Sequence, residues 1–158
     1  MHDVVIIGGS YAGLSAALQL GRARCDVVIV DAGERRSRFS THSHGFLGRD
    51  GASGEEIADS ARSEVLRYPT VSWSDGKVTQ VSGTSDAFVV RTQSDELHTK
   101  RVIIATGVVD ELPAIAGLTE RWGRTVFHCP FSRHGVRIGR DRFAQNTRVN
   151  LRELGAHE

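Results

Sequence analysis

The strongest chemical signal in this chain lies near its start, in the stretch "VVIIGGSYAGLSAALQL". Gly8, Ser10 and Gly13 fill the three places of a G-x-G-x-x-G turn set between an apolar run and an Ala/Leu-rich run. A turn of that kind serves a diphosphate. Its first Gly makes the tight turn, the second admits the closest backbone approach, and the third lets helix meet strand. A helix starting near Tyr11, with Ala12 in its first turn, would point free N–H groups and a positive dipole end at the anion. Ser10 departs from the pattern, because its Cβ restricts φ and takes space near a phosphate. The plainer alternative is a tight β-α turn that holds nothing; the position between strand and helix is what gives the motif weight.

Asp31 closes the second apolar run, "VVIVD". An acid at that place accepts hydrogen bonds from ribose hydroxyls and repels a 2′-phosphate, which favours FAD or NAD over NADP. Arg35 and Arg36 lie just beyond and argue the other way, and an ordinary solvated strand end is the competing reading. His42 and His44 form an H-x-H pair. No further Cys/His cluster lies close by, so a polar loop is expected there and no metal site. Trp73 and Phe88 read as core residues.

These groups need elements to position them. Asp3–Ile7 and Asp26–Val30 read as buried parallel strands, Leu14–Leu20 as the helix between them, ending near Gly21. Ala32–Ser53 reads as a long polar, Gly-rich loop, and Gly54–Leu66 as an amphipathic helix. Three strand-like pieces follow at Val71–Val81, Ala87–Thr92 and Glu96–Ala105, with Gly76 and Ser82–Asp86 as breaks. They suit an antiparallel insertion in the crossover to a further parallel strand, Val102–Ala105. The expectation is an α/β fold: a Rossmann-like domain with a parallel sheet, an antiparallel β insertion and three layers.

A length of 158 residues fits one domain, or one domain plus part of a second. The net charge of +1 argues against general nucleic-acid binding. No apolar run reaches membrane-span length, and the apolar start reads as a strand, not a signal peptide. Cys25 and Cys129 suggest no disulfide framework, so a cytoplasmic setting is expected.

Four segments in order resemble the thioredoxin reductase-like branch of the FAD/NAD(P)-binding flavoprotein oxidoreductases: the opening turn, "VVIVDAG", "RFSTHSHGFLGRDG" and "RVIIATGVVDELPAIAGL". The resemblance covers about Asp3–Pro130. It implies FAD, with Gly8, Ser10, Tyr11, Ala12 and Gly13 around its pyrophosphate. Asp31, Ala32 and Gly33 would meet the adenosine ribose, Val78 the adenine, and Ala105, Thr106 and Gly107 would close over the cofactor. The loop holding His44 and Gly45 would lie near the flavin ring. Electrons would run from NAD(P)H through flavin to an acceptor the sequence does not identify, and a homodimer is one expected assembly. The alternative is a non-catalytic dinucleotide-binding module or an inactive fragment.

Disulfide-reducing members of that family carry two cysteines separated by two residues. In "FHCPFSRHG" Cys129 is present but Ser132 takes the second place, so a dithiol relay is not expected. Cys129 is then either a lone reactive thiol beside His128 or an inert one. From Thr119 to Glu158 eight Arg face four acids, a local charge of +4. No second Gly fingerprint follows a buried strand there. The expected division is 1–118 as the FAD-binding segment and 119–158 as a vestige of a second nucleotide-binding domain or an irregular tail, as in a truncated product.

Overall fold

The computed structural model describes residues 1–36, 42–122 and 126. The elements in chain order are β1 (His2–Ile7), α1 (Tyr11–Arg22), β2 (Val27–Asp31), α2 (Gly54–Val65), β3 (Val71–Asp75), β4 (Gln80–Thr84), β5 (Ala87–Arg91), β6 (Glu96–Ile104) and α3 (Leu118–Arg121). The chain divides into two compact units. One comprises Met1–Arg38 and Gly54–Val108, the other Phe39–Ser53 and Val109–Glu158. Among the described residues, no helix is long and apolar enough to cross a membrane.

The first unit is built on one sheet in the order β3-β2-β1-β6-β5-β4. β1 runs parallel to both β2 and β6, and β2 runs parallel to β3. β1 and β2 are continuous Val/Ile runs because both of their faces are covered. Val4, Ile6, Val27, Ile29 and Val71 pack against Leu14 and Ala17 of α1 and Val65 of α2. Val5, Val28 and Val30 point the opposite way and pack with Val90 of β5, Leu97 of β6 and Val78. The antiparallel ribbon thus supplies the third layer: helices, parallel sheet, ribbon.

β6 joins the parallel and antiparallel parts. Its residues from Thr99 to Ile104 ladder with β1, while Glu96 to Thr99 ladder with β5. Thr99 pairs on both sides, with His2 and with Phe88. It is fully buried, and its hydroxyl donates to the Arg101 carbonyl at 3.0 Å.

The expected crossover strand is present, but two boundaries differ. The run Val71–Val81 is two strands, β3 at one edge of the sheet and β4 at the other. The polar Asp75-Gly76-Lys77 break interrupts the apolar pattern and lets the chain change edges. Ser82–Thr84 is strand, not turn. The β4–β5 reversal sits at Ser85 and Asp86, where Asp86 takes a left-handed φ of +69°, a conformation Asp tolerates.

At the amino ends of the strands Asp3 accepts from Lys100 Nζ at 2.7 Å and from the Asp26 N–H at 3.0 Å. The Lys100 hydrogen bond is the main reason the Asp3 carboxyl is held below its ordinary range, and the partnership raises Lys100 in turn. A depressed carboxylate stabilises the fold above its unfolded pKa and loses that contribution as pH falls through the folded one. Asp3→Asn should therefore lower the melting temperature slightly at neutral pH, and the difference should shrink as pH falls below the ordinary carboxylate range, measured by pH-dependent thermal melts. Ile6→Ala, at a fully buried site, should cost about 2–5 kcal/mol in urea unfolding.

Candidate functional site

The site begins where β1 ends. Gly8 donates its N–H to the Val30 carbonyl at 2.8 Å, and Ala105 donates to the Ile7 carbonyl at 2.8 Å. The exits of β1, β2 and β6 are thereby tied together. Gly8 has φ +108°, and a Cβ there would overlap the Ala105 carbonyl oxygen. Only glycine satisfies both conditions. Gly13 meets a different limit: a Cβ on it would overlap the Gly8 carbonyl oxygen, so α1 can approach the strand only without a side chain here.

Between them Ser10 is the N-cap of α1, with φ −95° and ψ −165°. That extended backbone is open to any residue, which is why Ser replaces the middle Gly without strain. Its hydroxyl makes no capping bond, and the first turn of α1 holds no acidic residue. The first intrahelical bond runs from the Leu14 N–H to the Ser10 carbonyl at 2.9 Å. The N–H groups of Tyr11, Ala12 and Gly13 precede it and have no partner within the helix. The helix mouth therefore offers donors and positive dipole with no carboxylate of its own to compete.

Asp31 stands beside this mouth, half-buried. Its Oδ1 accepts from the Gly9 N–H at 2.9 Å and its Oδ2 from the Gly33 N–H at 3.2 Å. Each oxygen keeps a further lone pair for an outside donor such as a ribose hydroxyl. Tyr11 donates its hydroxyl to the Gly54 carbonyl at 3.2 Å, tethering the start of α1 to the start of α2. A cradle that excludes Cβ atoms, a row of helix N–H groups and an acid one strand away fit an ADP-containing dinucleotide.

The first unit thus brings together Gly8, Ser10, Tyr11, Ala12, Gly13, Asp31, Gly33 and Ala105. Ala32 and Gly33 are exposed next to Asp31; Thr106 and Gly107 are exposed just past the end of β6. Val78 lies between β3 and β4 with its side chain packed on the second face of the sheet.

His44 and Gly45 belong to the second unit. There Asp50 organises the loop: its Oδ1 accepts from the Gly45 N–H at 2.8 Å and lies 3.2 Å from His44 Nδ1. Ser43 donates to the Ala52 carbonyl and Gly51 to that of Ser43, closing the loop on itself. Cys129, His128 and Ser132 lie outside the described residues. Among the described residues no group of three or more His, Cys, Asp or Glu is placed to hold a metal.

Asp50 and Gly9 were not singled out from the sequence, and Trp73 was read there only as a core residue. Asp50 stands in "HGFLGRDG", where an acid following a Gly-rich turn is a legible loop-closing signal. Gly9 and Trp73 meet only in the folded chain, where the indole lies against the Gly9 Cα.

The family described as pyridine nucleotide-disulphide oxidoreductase matches residues 2–135. An oxidoreductase from Agrobacterium tumefaciens of known structure is 58% identical with a TM-score of 0.80, over 82% of this chain and 44% of that one. The structure of HlmI is 44% identical with a TM-score of 0.75, over 82% and 42%. The thioredoxin reductase sirT of Leptosphaeria maculans is 35% identical over 139 residues, covering 85% of this chain and 42% of that protein. The chain thus spans less than half the length of the relatives it matches.

The cradle makes a direct prediction. Gly13→Ala should cost about 1–3 kcal/mol in urea unfolding through overlap with the Gly8 carbonyl, whereas Ala12→Gly, at an exposed position, should cost less than about 1 kcal/mol.

Proposed function

The chain belongs to the pyridine nucleotide-disulphide oxidoreductase family, and on that premise we propose that it holds FAD as part of a thioredoxin reductase-like flavoprotein oxidoreductase. The cofactors this family implies are FAD and NAD(P)H. The observation that carries the reading is the mouth of α1: three N–H groups without helical partners, framed by glycines that admit no Cβ.

On this reading Ser10, Tyr11, Ala12 and Gly13 present backbone donors to the diphosphate, and Gly8 lets the strand end approach it. Asp31 accepts from the adenosine ribose, with Ala32 and Gly33 alongside, and the Val78 backbone meets adenine. Ala105, Thr106 and Gly107 line the exit of β6 against the cofactor. His44 and Gly45 are assigned to the flavin end. The bound isoalloxazine supplies the hydride and electron transfer, while the protein binds, orients and shields it. With Ser132 in the second cysteine's place, electrons leave for an unidentified acceptor without a dithiol relay, and Cys129 is at most a single thiol.

On the same reading residues 1–118 serve FAD, and 119–158 are a vestige of the family's second nucleotide-binding domain or an irregular tail. Two widely spaced cysteines support a cytoplasmic setting. Ile104 and Val108 are exposed at 74% and 62%, which supports homodimerisation as the way this apolar surface is covered.

The test is the absorbance spectrum of the purified 158-residue chain after loading with FAD and gel filtration. About one flavin per chain is the expected outcome, by the one-site arrangement of the first βα turn. A colourless protein that retains NAD or ADP instead would replace FAD by a plain nucleotide-binding role. NADPH alone should produce little or no turnover in this chain. Rapid NADPH consumption without an added partner would overturn the assignment of hydride delivery to another domain.

A further inference from the structure

Gly9 is not one of the three fingerprint positions, yet it is buried and held on two sides. Its N–H is bound by Asp31 Oδ1 at 2.9 Å. Its Cα lies against the benzo edge of Trp73. A Cβ on Gly9 would overlap Trp73 Cη2, fall 2.7 Å from Cζ3 and fall 2.9 Å from Asp31 Cβ. No left-handed φ is needed at Gly9, so the indole and the neighbouring acid are what exclude a side chain.

The ring is itself fixed. Trp73 Nε1 donates to Asp75 Oδ1 at 2.8 Å. The Arg62 guanidinium, from the last turn of α2, lies 3.9 Å from the ring centroid, with its Nη2 4.0 Å from Asp75 Oδ1. A cation over an aromatic face is drawn to the ring's negative face and holds it in place. β3 carries the ring opposite Ile29 of β2, and Asp75 opposite Asp31. Core packing alone does not require this arrangement, because an aliphatic side chain would fill the space beside Ile29 without reaching Gly9.

We propose that Trp73 is a positioning residue of the dinucleotide turn. Braced by Arg62 and Asp75, its indole edge keeps the Gly9 N–H on Asp31 and so fixes the direction of the Tyr11, Ala12 and Gly13 donors that follow. Residues 9 and 73 are therefore coupled: the indole makes the more severe of the two clashes, with Asp31 Cβ the other, that hold position 9 to glycine. The ligand in this inference rests on the FAD reading above; the contact does not.

The test is a double-mutant cycle of Gly9→Ala and Trp73→Leu, read by FAD affinity and by amide exchange at Gly9 relative to Leu14. Gly9→Ala alone should weaken FAD binding about tenfold or more, and combining it with Trp73→Leu should recover a clear part of that loss, the remainder reflecting the contact with Asp31 Cβ, a coupling within the range seen for contacting residues. In the cofactor-free chain, Trp73→Leu should speed Gly9 exchange about tenfold relative to Leu14, since only local opening is made easier. Arg62→Ala, which leaves the core filled, should raise Gly9 exchange several-fold relative to Leu14, beyond the small general rise that follows its lowered melting temperature. Independent, multiplying losses in the cycle, or Gly9 exchange that follows global stability in every variant, would overturn the proposal. A wild-type chain that bound no FAD would sink the FAD reading, and the exchange ratios would then decide this inference by themselves.

Discussion

β1 is enclosed on both faces and along both edges, and that enclosure governs the rest of the first unit. With Val5 and Ile6 at 0% exposure, neither face can accept a polar residue without an unpaired buried group. The strand between β2 and β6 therefore ends abruptly, and the chain must turn within a few residues to reach α1. The same crowding that forbids a Cβ on Gly8 and Gly13 leaves the first donors of α1 pointing outward. A packing constraint thus produces an anion-binding geometry without any side chain dedicated to it.

The acid at the end of β2 has a structural role that is independent of any ligand. Asp31 accepts from Gly9 and Gly33, so it links the diphosphate turn to the turn that follows β2. A carboxylate held by two backbone N–H groups is pre-oriented before any ligand arrives, which lowers the ordering cost of binding. Tyr11 extends the same network to α2 through the Gly54 carbonyl. In the first unit these bonds tie the turn to β2, β6 and α2.

β6 shows how an insertion can be accommodated without breaking a parallel sheet. One nine-residue strand serves β5 with its first half and β1 with its second, and the buried Thr99 lies at the changeover. The ribbon then covers the second face through Val90, which replaces the helix that would otherwise be needed there. The Ala105–Gly107 exit of β6 is placed beside Gly8 as a direct result of the same pairing.

Much of this was legible in the residues alone. Val/Ile runs of strand length, a Gly-spaced turn and an Ala/Leu helix are local patterns, and local patterns determined β1, α1, β2 and the glycine turn between β1 and α1. Asp31 was legible because it stands at a strand end a set distance from the turn. The break at Gly76 was legible, but the placing of β3 and β4 at opposite sheet edges was not, since only pairing partners decide it. Nor was the meeting of Gly9 with Trp73, which are far apart in sequence and share no periodicity. Contacts between distant segments depend on strand order and register, and those are set when the two faces of the sheet are buried together.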